Sequence, residues 1–365
     1  MAKNYYNNIL VCVSGLTPQI VTETLFCLSV KEKIPINEVY VLTTKRGRDV
    51  ILGRDKHSAT PKTPLKDEIE NLCKKYKLNK PLFEENDSHI IVAKEESIEI
   101  PDVRSDKDNI LFPNKICDFL REKSSDPNNV LYCSITGGRK SMSVHLSNAL
   151  SLFAREKDRL VHVLTKEEHE FKGFYPVTKE EIKDLELADI PFVRLRPILS
   201  AELKRPDLLK ANFDEVVKFT QKQLKLLSPS NKIIVDIERR ELRFGNDRAV
   251  FEPLEFLFYY YFVDNKMRGQ INISIFDFTS KETKERFIEY FSDFYDRYYI
   301  DEMSWYKRGF DDRNFLQKKS KVNRKIESLI EDPDIADLFK INVNRKYSES
   351  TYFIKAEKDK FLIKK

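Results

Sequence analysis

The sequence predicts an α/β fold with a doubly wound parallel sheet, followed by a smaller α+β domain. Three observations predict it. In the first 200 residues, short wholly apolar runs alternate with helical patterns, as they do in sheets buried on both faces. One of these runs, Val130 to Cys133, ends in Ser134-Ile135-Thr136-Gly137-Gly138-Arg139-Lys140-Ser141-Met142, a tight glycine turn leading into a helix. After Pro191-Phe192-Val193-Arg194-Leu195-Arg196-Pro197 the chain changes character and becomes rich in aromatic helices. These changes divide it into a first domain over 1–205, a connecting helix over 206–229 and a second domain over 230–365.

Taken in order, Ile9 to Val13 reads as the first buried strand. It runs into Ser14-Gly15-Leu16-Thr17-Pro18, and Pro18 suits the first turn of the helix marked by Ile20, Val21, Thr24, Leu25 and Leu28. Val39 to Thr43 is the second strand, followed by a polar loop through Gly47 and Gly53. Leu65, Ile69, Leu72 and Tyr76 mark a helix, His89 to Ala93 a strand, Ile110 to Leu120 a helix and Leu160 to Leu164 a strand. In the second part a break near Arg205-Pro206-Asp207 precedes a long amphipathic helix, Leu208 to Leu227. A hairpin follows, from Ile233 to Ile237 and from Glu241 to Phe244. Helices are expected over Pro253 to Val263, Lys281 to Tyr299 and Asn314 to Ile330. Tyr352-Phe353-Ile354 and Phe361-Leu362-Ile363 are expected to close the chain as a final hairpin.

The glycine turn is where ligand chemistry concentrates. Glycines let the backbone approach a ligand, a helix N-terminus offers free N–H groups to an anion, and Arg139 and Lys140 add two charges. Physically this is a phosphate site. It is not a Walker A loop, because Arg139 stands where that loop has glycine, and no third glycine completes a dinucleotide fingerprint. Ser14 ends another strand, and ligands of doubly wound sheets bind beyond such carboxyl ends.

Composition narrows the classes. Lys and Arg number 64 against 59 Asp and Glu, a net charge of +5, split as +1 through residue 200 and +4 beyond it; that is too even to mark a nucleic-acid binder by itself. All five cysteines, Cys12, Cys27, Cys73, Cys117 and Cys133, lie in the first part without CxxC spacing. They read as small buried hydrophobes of a reducing cytoplasm. No His, Cys or carboxylate cluster has metal-ligand spacing, and no apolar run is long enough to span a membrane.

Several ordered motifs now agree on a family. Ser14 to Leu25, Ser134 to Met142, Ala149 to Phe153, Asp158 to Leu164, Phe174-Tyr175-Pro176 and Ile190 to Arg196 together resemble the CRISPR-associated Rossmann-fold (CARF) ring nucleases. They resemble equally the related sensor domains of type III CRISPR ancillary ribonucleases. The resemblance covers residues 8 to 200. It implies a Rossmann-like sheet in a cytoplasmic homodimer that binds a cyclic oligoadenylate, most often cyclic tetra-adenylate. Such enzymes use no cofactor or metal. They cut the ring by attack of a ribose 2′-hydroxyl on its own adjacent phosphate, leaving a 2′,3′-cyclic phosphate, and so switch off type III CRISPR antiviral signalling. Carried onto this chain, Ser14 would contact the reacting ribose or phosphate and Lys140 would stabilise the transition state. Thr136, Gly137, Gly138 and Arg139 would cradle phosphates, with Thr17 and Gln19 at ribose or base.

Every histidine lies at or before His169, so the second domain cannot hold the arginine–histidine site of a HEPN ribonuclease. Arg139 and His145 have a similar spacing, but inside the glycine turn and its helix this is chance, and His162 reads as a packed core histidine. Asp277, Glu282 and Lys284 have a loose likeness to a metal-nuclease pattern and read as the solvated start of a helix. From Ile233 onward the second domain weakly resembles a response-regulator-type winged helix with an insertion over Asn265 to Tyr306. That resemblance implies a recognition helix carrying Lys318, Lys319, Lys321, Arg324 and Lys325 against double-stranded DNA. The alternative function is therefore a ring-responsive DNA-binding regulator without cleavage, and the bland reading of the second domain is dimerisation. A third reading is a ligand-gated nuclease with an unrecognised site in the second domain.

Overall fold

The structure is a computed structural model that describes residues 6–170, 172–199, 206–270, 272–294, 312–346 and 349–364. Alternating apolar runs become strands β1 (Asn7–Val13), β2 (Glu38–Thr43) and β3 (Ile90–Val92), a small hairpin β4–β5 (Lys94–Glu95, Ile98–Glu99), β6 (Asn129–Ser134), β7 (Arg159–Leu164) and β8 (Glu186–Asp189). Between them run α1 (Gln19–Phe26, continued by a π-helical turn over Cys27–Lys31), α2 (Lys45–Ile51), α3 (Leu65–Tyr76), α4 (Asp108–Ser125), α5 (Lys140–Phe153) and α6 (Lys179–Asp184). The main sheet has the order β3-β2-β1-β6-β7-β8. Its first five strands are parallel, and β8 closes the edge antiparallel to β7.

β1 is apolar throughout because both its faces are covered. Ile9, Val11 and Val13 pack with Phe112 and Ile116 of α4 and Leu146 and Leu150 of α5. Leu10 and Cys12 pack with Val21 and Leu25 of α1 and Ile69 and Leu72 of α3. Burial holds the Cys12 and Cys133 thiols far above their ordinary range, as inert core groups. The far end of the sheet is fastened by Asp158, which is 1% exposed. Its carboxylate accepts from the Leu131 amide at 2.8 Å, the Arg155 amide at 2.7 Å and the Arg155 guanidinium at 3.0 and 3.1 Å.

Three expectations are corrected. The stretch after β2 is not a loop but the helix α2: Thr44, in extended conformation, accepts from the Gly47 amide as its N-cap. The long helix from Leu208 is two helices, α8 (Pro206–Leu209, after the short α7, Arg196–Leu199) and α9 (Phe213–Leu227). A reciprocal capping box starts α9, with Glu215 N–H donating to Asn212 Oδ1 at 2.9 Å and Asn212 N–H to Glu215 Oε2 at 2.8 Å. The chain also does not close on the expected hairpin, as described next.

The chain divides into two compact units, Met1–Gln221 and Lys222–Lys365, with the division inside α9. The second unit begins with β9 (Ile233–Asp236), β10 (Glu241–Phe244) and β11 (Asp247–Val250). Then come α10 (Pro253–Met267), β12 (Ile273–Ser274), α11 (Ile275–Thr279) and α12 (Lys281–Phe294, the residues expected beyond it lying outside those described). It ends with α13 (Asp312–Leu329), α14 (Pro333–Phe339), β13 (Ile341–Lys346), β14 (Glu349–Ile354) and β15 (Phe361–Lys364). β14 takes its hairpin partner from β13 and its other edge from β12, while β15 leaves for a different sheet and runs parallel to β9. Ile354 and Phe361 are each buried, on separate sheets of one core, which satisfies both apolar runs without pairing them. Phe256 to Val263 of α10 are all buried, which explains an apolar pattern with no polar face.

Removing the Asp158 carboxylate leaves the Leu131 amide and the Arg155 charge without their acceptor. Asp158→Ala is expected to lower unfolding free energy by about 3–5 kcal/mol, read by urea denaturation; a loss below about 1 kcal/mol would show the network to be dispensable.

Candidate functional site

The two turns singled out in the sequence end neighbouring strands. β1 and β6 pair in parallel from Asn7↔Asn129 to Cys12↔Ser134. The order reverses here, with β2 and β3 on one side of β1 and β6 and β7 on the other, so both turns open at the switch point of the sheet. They touch: a β-carbon on Gly15 would lie 3.2 Å from the Gly138 Cα. Gly138 has φ +78°, which lets the chain reverse sharply into α5. Ser143, one turn into that helix, donates to the carbonyls of Ile135 at 2.9 Å and Gly137 at 3.1 Å and ties the turn down. α2 closes the third side. A β-carbon on Gly47 would lie 2.0 Å from Thr43 Oγ1 and 3.2 Å from the carbonyl oxygens of both Ser14 and Gly15.

Two clefts flank this junction. The first, about 270 Å³, is lined by Gly15, Leu16, Thr17, Thr44, Arg46, Gly47, Asp102, Arg104, Gly138, Arg139 and Met142. Three guanidinium groups against one carboxylate make it an anion-seeking cleft. The carboxylate is already taken: Arg139 Nε donates to Asp102 Oδ1 at 2.8 Å, its terminal nitrogen donates to Oδ2, and Arg104 Nε donates to Oδ2 at 2.9 Å. These cations, Arg139 foremost, hold the Asp102 carboxyl down at about 2 from an ordinary 3.8. The second cleft, about 310 Å³, lies between α1 and the end of β7 and shares Thr17 with the first. Gln19, Ile20, Glu23, Thr136, His162 and Val163 line it, with Leu164, Thr165 and Glu170. Burial, reinforced by Glu170, pushes the Glu23 carboxyl up to about 7.

The structure thus separates the predicted residues. Gly138 and Arg139 line the first cleft, Gln19 and Thr136 the second, and Thr17 both. Gly137 is buried in the turn. Lys140 is exposed as the first residue of α5 and has no ion-pair or hydrogen-bond partner among the described residues. Ser14 is fully buried beneath the Gly15 turn, its Oγ without a partner among the described residues. The Thr136 hydroxyl is engaged in the sheet: it accepts from the Val163 amide at 2.9 Å and shares a hydrogen bond with Ser134 Oγ at 3.1 Å. Sequence reasoning missed Thr44, Arg46, Asp102 and Arg104. Thr44 was findable as a threonine cap directly after a strand, whereas Asp102 stands 37 residues from Arg139 with no local signal. His162 is half-buried at the cleft, not a closed core residue.

In the second unit several cations of the basic helix are engaged by their own unit, although Lys321 remains exposed. Lys321 and Lys325 pair with buried Glu255 at 3.6 and 3.1 Å. Lys325 also donates to the Val250 carbonyl at 3.0 Å and lies over the Phe251 ring. Lys319 lies over the Tyr352 ring, and burial pulls Lys318 and Lys319 below their ordinary range. Arg324 is exposed. Folding does gather one group with metal-ligand chemistry that the sequence spacing hid, Glu168, His169 and Asp184, within 4.8 Å of one another. Asp184 is already engaged by Lys166 at 2.9 Å and His169 at 3.2 Å. No helix of the described residues is long and apolar enough to cross a membrane.

The profile of the CRISPR-associated protein NE0113 family matches residues 17–225, which takes in the Gly137-Gly138 turn, the lining of the second cleft and most of α9, and starts just after Gly15 and Leu16 of the first turn. The chain belongs to this family. Among solved structures this NE0113-family chain is similar to Enterococcus italicus Csm6 bound to cyclic hexa-2′-fluoro-hexa-dAMP, with a TM-score of 0.35 and 12% identity. The similarity covers 88% of this chain and 65% of that one, so the chain spans under two thirds of that protein's length. No curated protein matches the chain.

The Asp102 carboxyl sits below its unfolded value, so the unfolded chain binds the extra proton between the two. Its contribution to stability is fully present above about pH 4 and is lost as pH falls through about 2. Asp102→Asn is expected to flatten that acid limb of the stability profile, measured by thermal denaturation from pH 2 to 5. An unchanged limb would mean that the pair does not persist in solution.

Proposed function

We propose that this family member binds a cyclic oligoadenylate, cyclic tetra-adenylate in particular, as a homodimer and cleaves it. The observation that carries the reading is the first cleft: a glycine turn and a helix N-terminus at the switch point of a parallel sheet, ringed by Arg46, Arg104 and Arg139. Of the first-turn amides of α5, that of Met142 is taken by the Arg139 carbonyl at 2.9 Å, while those of Lys140 and Ser141 precede the helical ladder and favour phosphate oxygens. Membership of a CRISPR-associated family supplies the context in which the polyanion is a signalling ring. A ring of identical nucleotides has two-fold symmetry, and a two-fold dimer matches it with one set of residues used twice.

In the proposed reaction the 2′-oxygen of one ribose loses its proton and bonds to the adjacent phosphorus. The bond from that phosphorus to the 5′-oxygen of the next nucleotide breaks, and the leaving oxygen takes up a proton. The products are a 2′,3′-cyclic phosphate and a 5′-hydroxyl, with no water consumed. The phosphorane carries more negative charge than the ground-state phosphate, so a cation free of internal partners does most where that charge appears. Among the described residues Lys140 is such a cation. Arg139 acts in binding, exchanging the Asp102 carboxylate for phosphate. Ser14, enclosed beneath Gly15, shapes the turn that holds the ribose in line and touches it only when that turn opens. The order α10, β12, helices, α13, then the β13–β14 hairpin paired to β12 supports a winged-helix reading of the second unit. Pairing of Lys321 and Lys325 with Glu255 leaves less charge for phosphate and so favours dimerisation over DNA contact as its role.

Single-turnover cleavage of cyclic tetra-adenylate in a chelator tests the chemistry. Lys140→Ala is expected to slow it by roughly a hundredfold with a smaller change in affinity, and Ser14→Ala to slow it less. Wild-type rates from both variants would remove them from the mechanism, and an intact ring after incubation with wild type would favour sensing alone. Calorimetry is expected to give one ring per two chains, and Arg139→Ala to weaken binding by about 1.5–3 kcal/mol. Duplex DNA binding that is salt-sensitive and abolished by charge reversal at Lys318, Lys319 and Lys321 would reinstate the DNA reading.

A further inference from the structure

The second cleft holds polar groups for which the proposed phosphate chemistry has no use. Glu23 projects from α1 with no hydrogen-bond or ion-pair partner among the described residues, and another carboxylate, Glu170, lines the same cleft. Gln19 Oε1 and His162 Nδ1 are likewise buried without partners among the described residues. Half-buried carboxylates without cations are costly to a fold, and they gather where a ligand completes them. Ile20, Val163 and Leu164 provide apolar wall, and about 310 Å³ falls at the small end of ligand pockets. Thr17, common to both clefts, sets this pocket next to the phosphate turn, where the base of a bound nucleotide would reach.

We infer that the second cleft takes a purine base and that Glu23 is its specificity-determining residue, reading the N1/N6 edge of adenine as a neutral carboxylic acid. This rests on the cyclic-oligoadenylate reading for its physiological ligand. The hydrogen-bond inventory gives the reason. A protonated carboxyl donates its O–H to adenine N1 while its carbonyl oxygen accepts from the N6 amino group. A carboxylate can only accept, and so suits the N1–H and N2–H donors of guanine. The protonation state of one side chain therefore chooses between the two purines, and the Glu23 carboxyl, held near 7, is balanced between them. Other titratable groups face Glu23: Glu170 and His162 in the same cleft, His169, Lys172, Tyr175 and Glu181 in the adjoining hollow, and Cys27 just beyond its own helix.

The variants separate Glu23 from these neighbours. Glutamine keeps the same pairing, with its N–H₂ toward N1 and its carbonyl toward N6, but does not titrate. Each Glu23 that must be neutral lowers wild-type affinity about 30-fold from pH 6 to pH 8.5, so a cyclic tetra-adenylate held by Glu23 of both chains is expected to bind about 900-fold more weakly at pH 8.5. Glu23→Gln is expected to bind with no more than a few-fold change over that range, and Glu23→Ala to bind at least about tenfold more weakly at pH 6. A Glu23→Gln profile that falls like wild type, or a Glu23→Ala affinity equal to wild type at pH 6, overturns the assignment. Adenosine and guanosine, titrated separately by NMR, need neither ring nor dimer. An adenosine preference at pH 6 that is lost in Glu23→Ala supports the pocket even if the ring fails to bind, in which case only the ring reading falls. Equal responses to both nucleosides in wild type reject it.

Discussion

Everything at the site depends on the parallel pairing of β1 with β6. Neither turn is a site alone: the Gly15 turn has little charge, and the Gly138 turn has no opposing wall. Hydrogen bonding of residues 7–12 against 129–134 sets them side by side, and the touching Gly15 and Gly138 backbones fix their separation. A one-residue slip in that ladder would turn every buried side chain of β1 to the opposite layer, so the two-sided core specifies the register and through it the clefts.

Beneath the clefts runs a line of hydroxyls that couples layers. Thr24 of α1 donates to the Ile20 carbonyl at 2.6 Å and shares a hydrogen bond with Ser134 at 3.2 Å; Ser134 meets Thr136, and Thr136 accepts from Val163 of β7. Three side chains thus join α1, β6 and β7 at the level of the clefts. The second cleft is built on this line, which gives its walls a fixed spacing without a charge in the core.

Much of this was legible beforehand, for physical reasons that differ by element. Buried parallel strands announce themselves as short apolar runs, and the Gly137-Gly138 turn as a break before a helical pattern, so β1, β2, β6, β7 and the turn followed from residues alone. α2 was illegible by periodicity because Lys45-Arg46-Gly47-Arg48 offers no apolar face at its start; its cause is a cap and a close approach. The hairpin expected at the end of the chain failed because local apolar runs do not say which sheet accepts them. At the site, single residues such as Arg139 were found by chemistry, but their grouping was not, since Asp102 and His162 arrive through long-range contacts. Lys321 and Lys325 taught the same lesson: a row of lysines reads as a surface until Glu255 is known to lie behind it.

The Arg139–Asp102 pair also bears on how strongly salt governs the first cleft. A polyanion meeting free arginines releases mobile counterions, and the gain from their dilution makes such binding fall steeply with ionic strength. Here Arg139 and Arg104 share a tethered counterion, Asp102, and Arg46 has another, Asp55, at 3.3 Å; under the proposed reading these would be displaced but would never diffuse away. Those contacts would therefore add little to the salt slope, since a polyanion bound there would replace fixed charges by its own instead of drawing on the entropy of the bulk. A cleft organised in this way would keep its grip on an anion at the ionic strength of a cell, and would discriminate between anions by how well their oxygens fit the guanidinium fork more than by how much charge they bring.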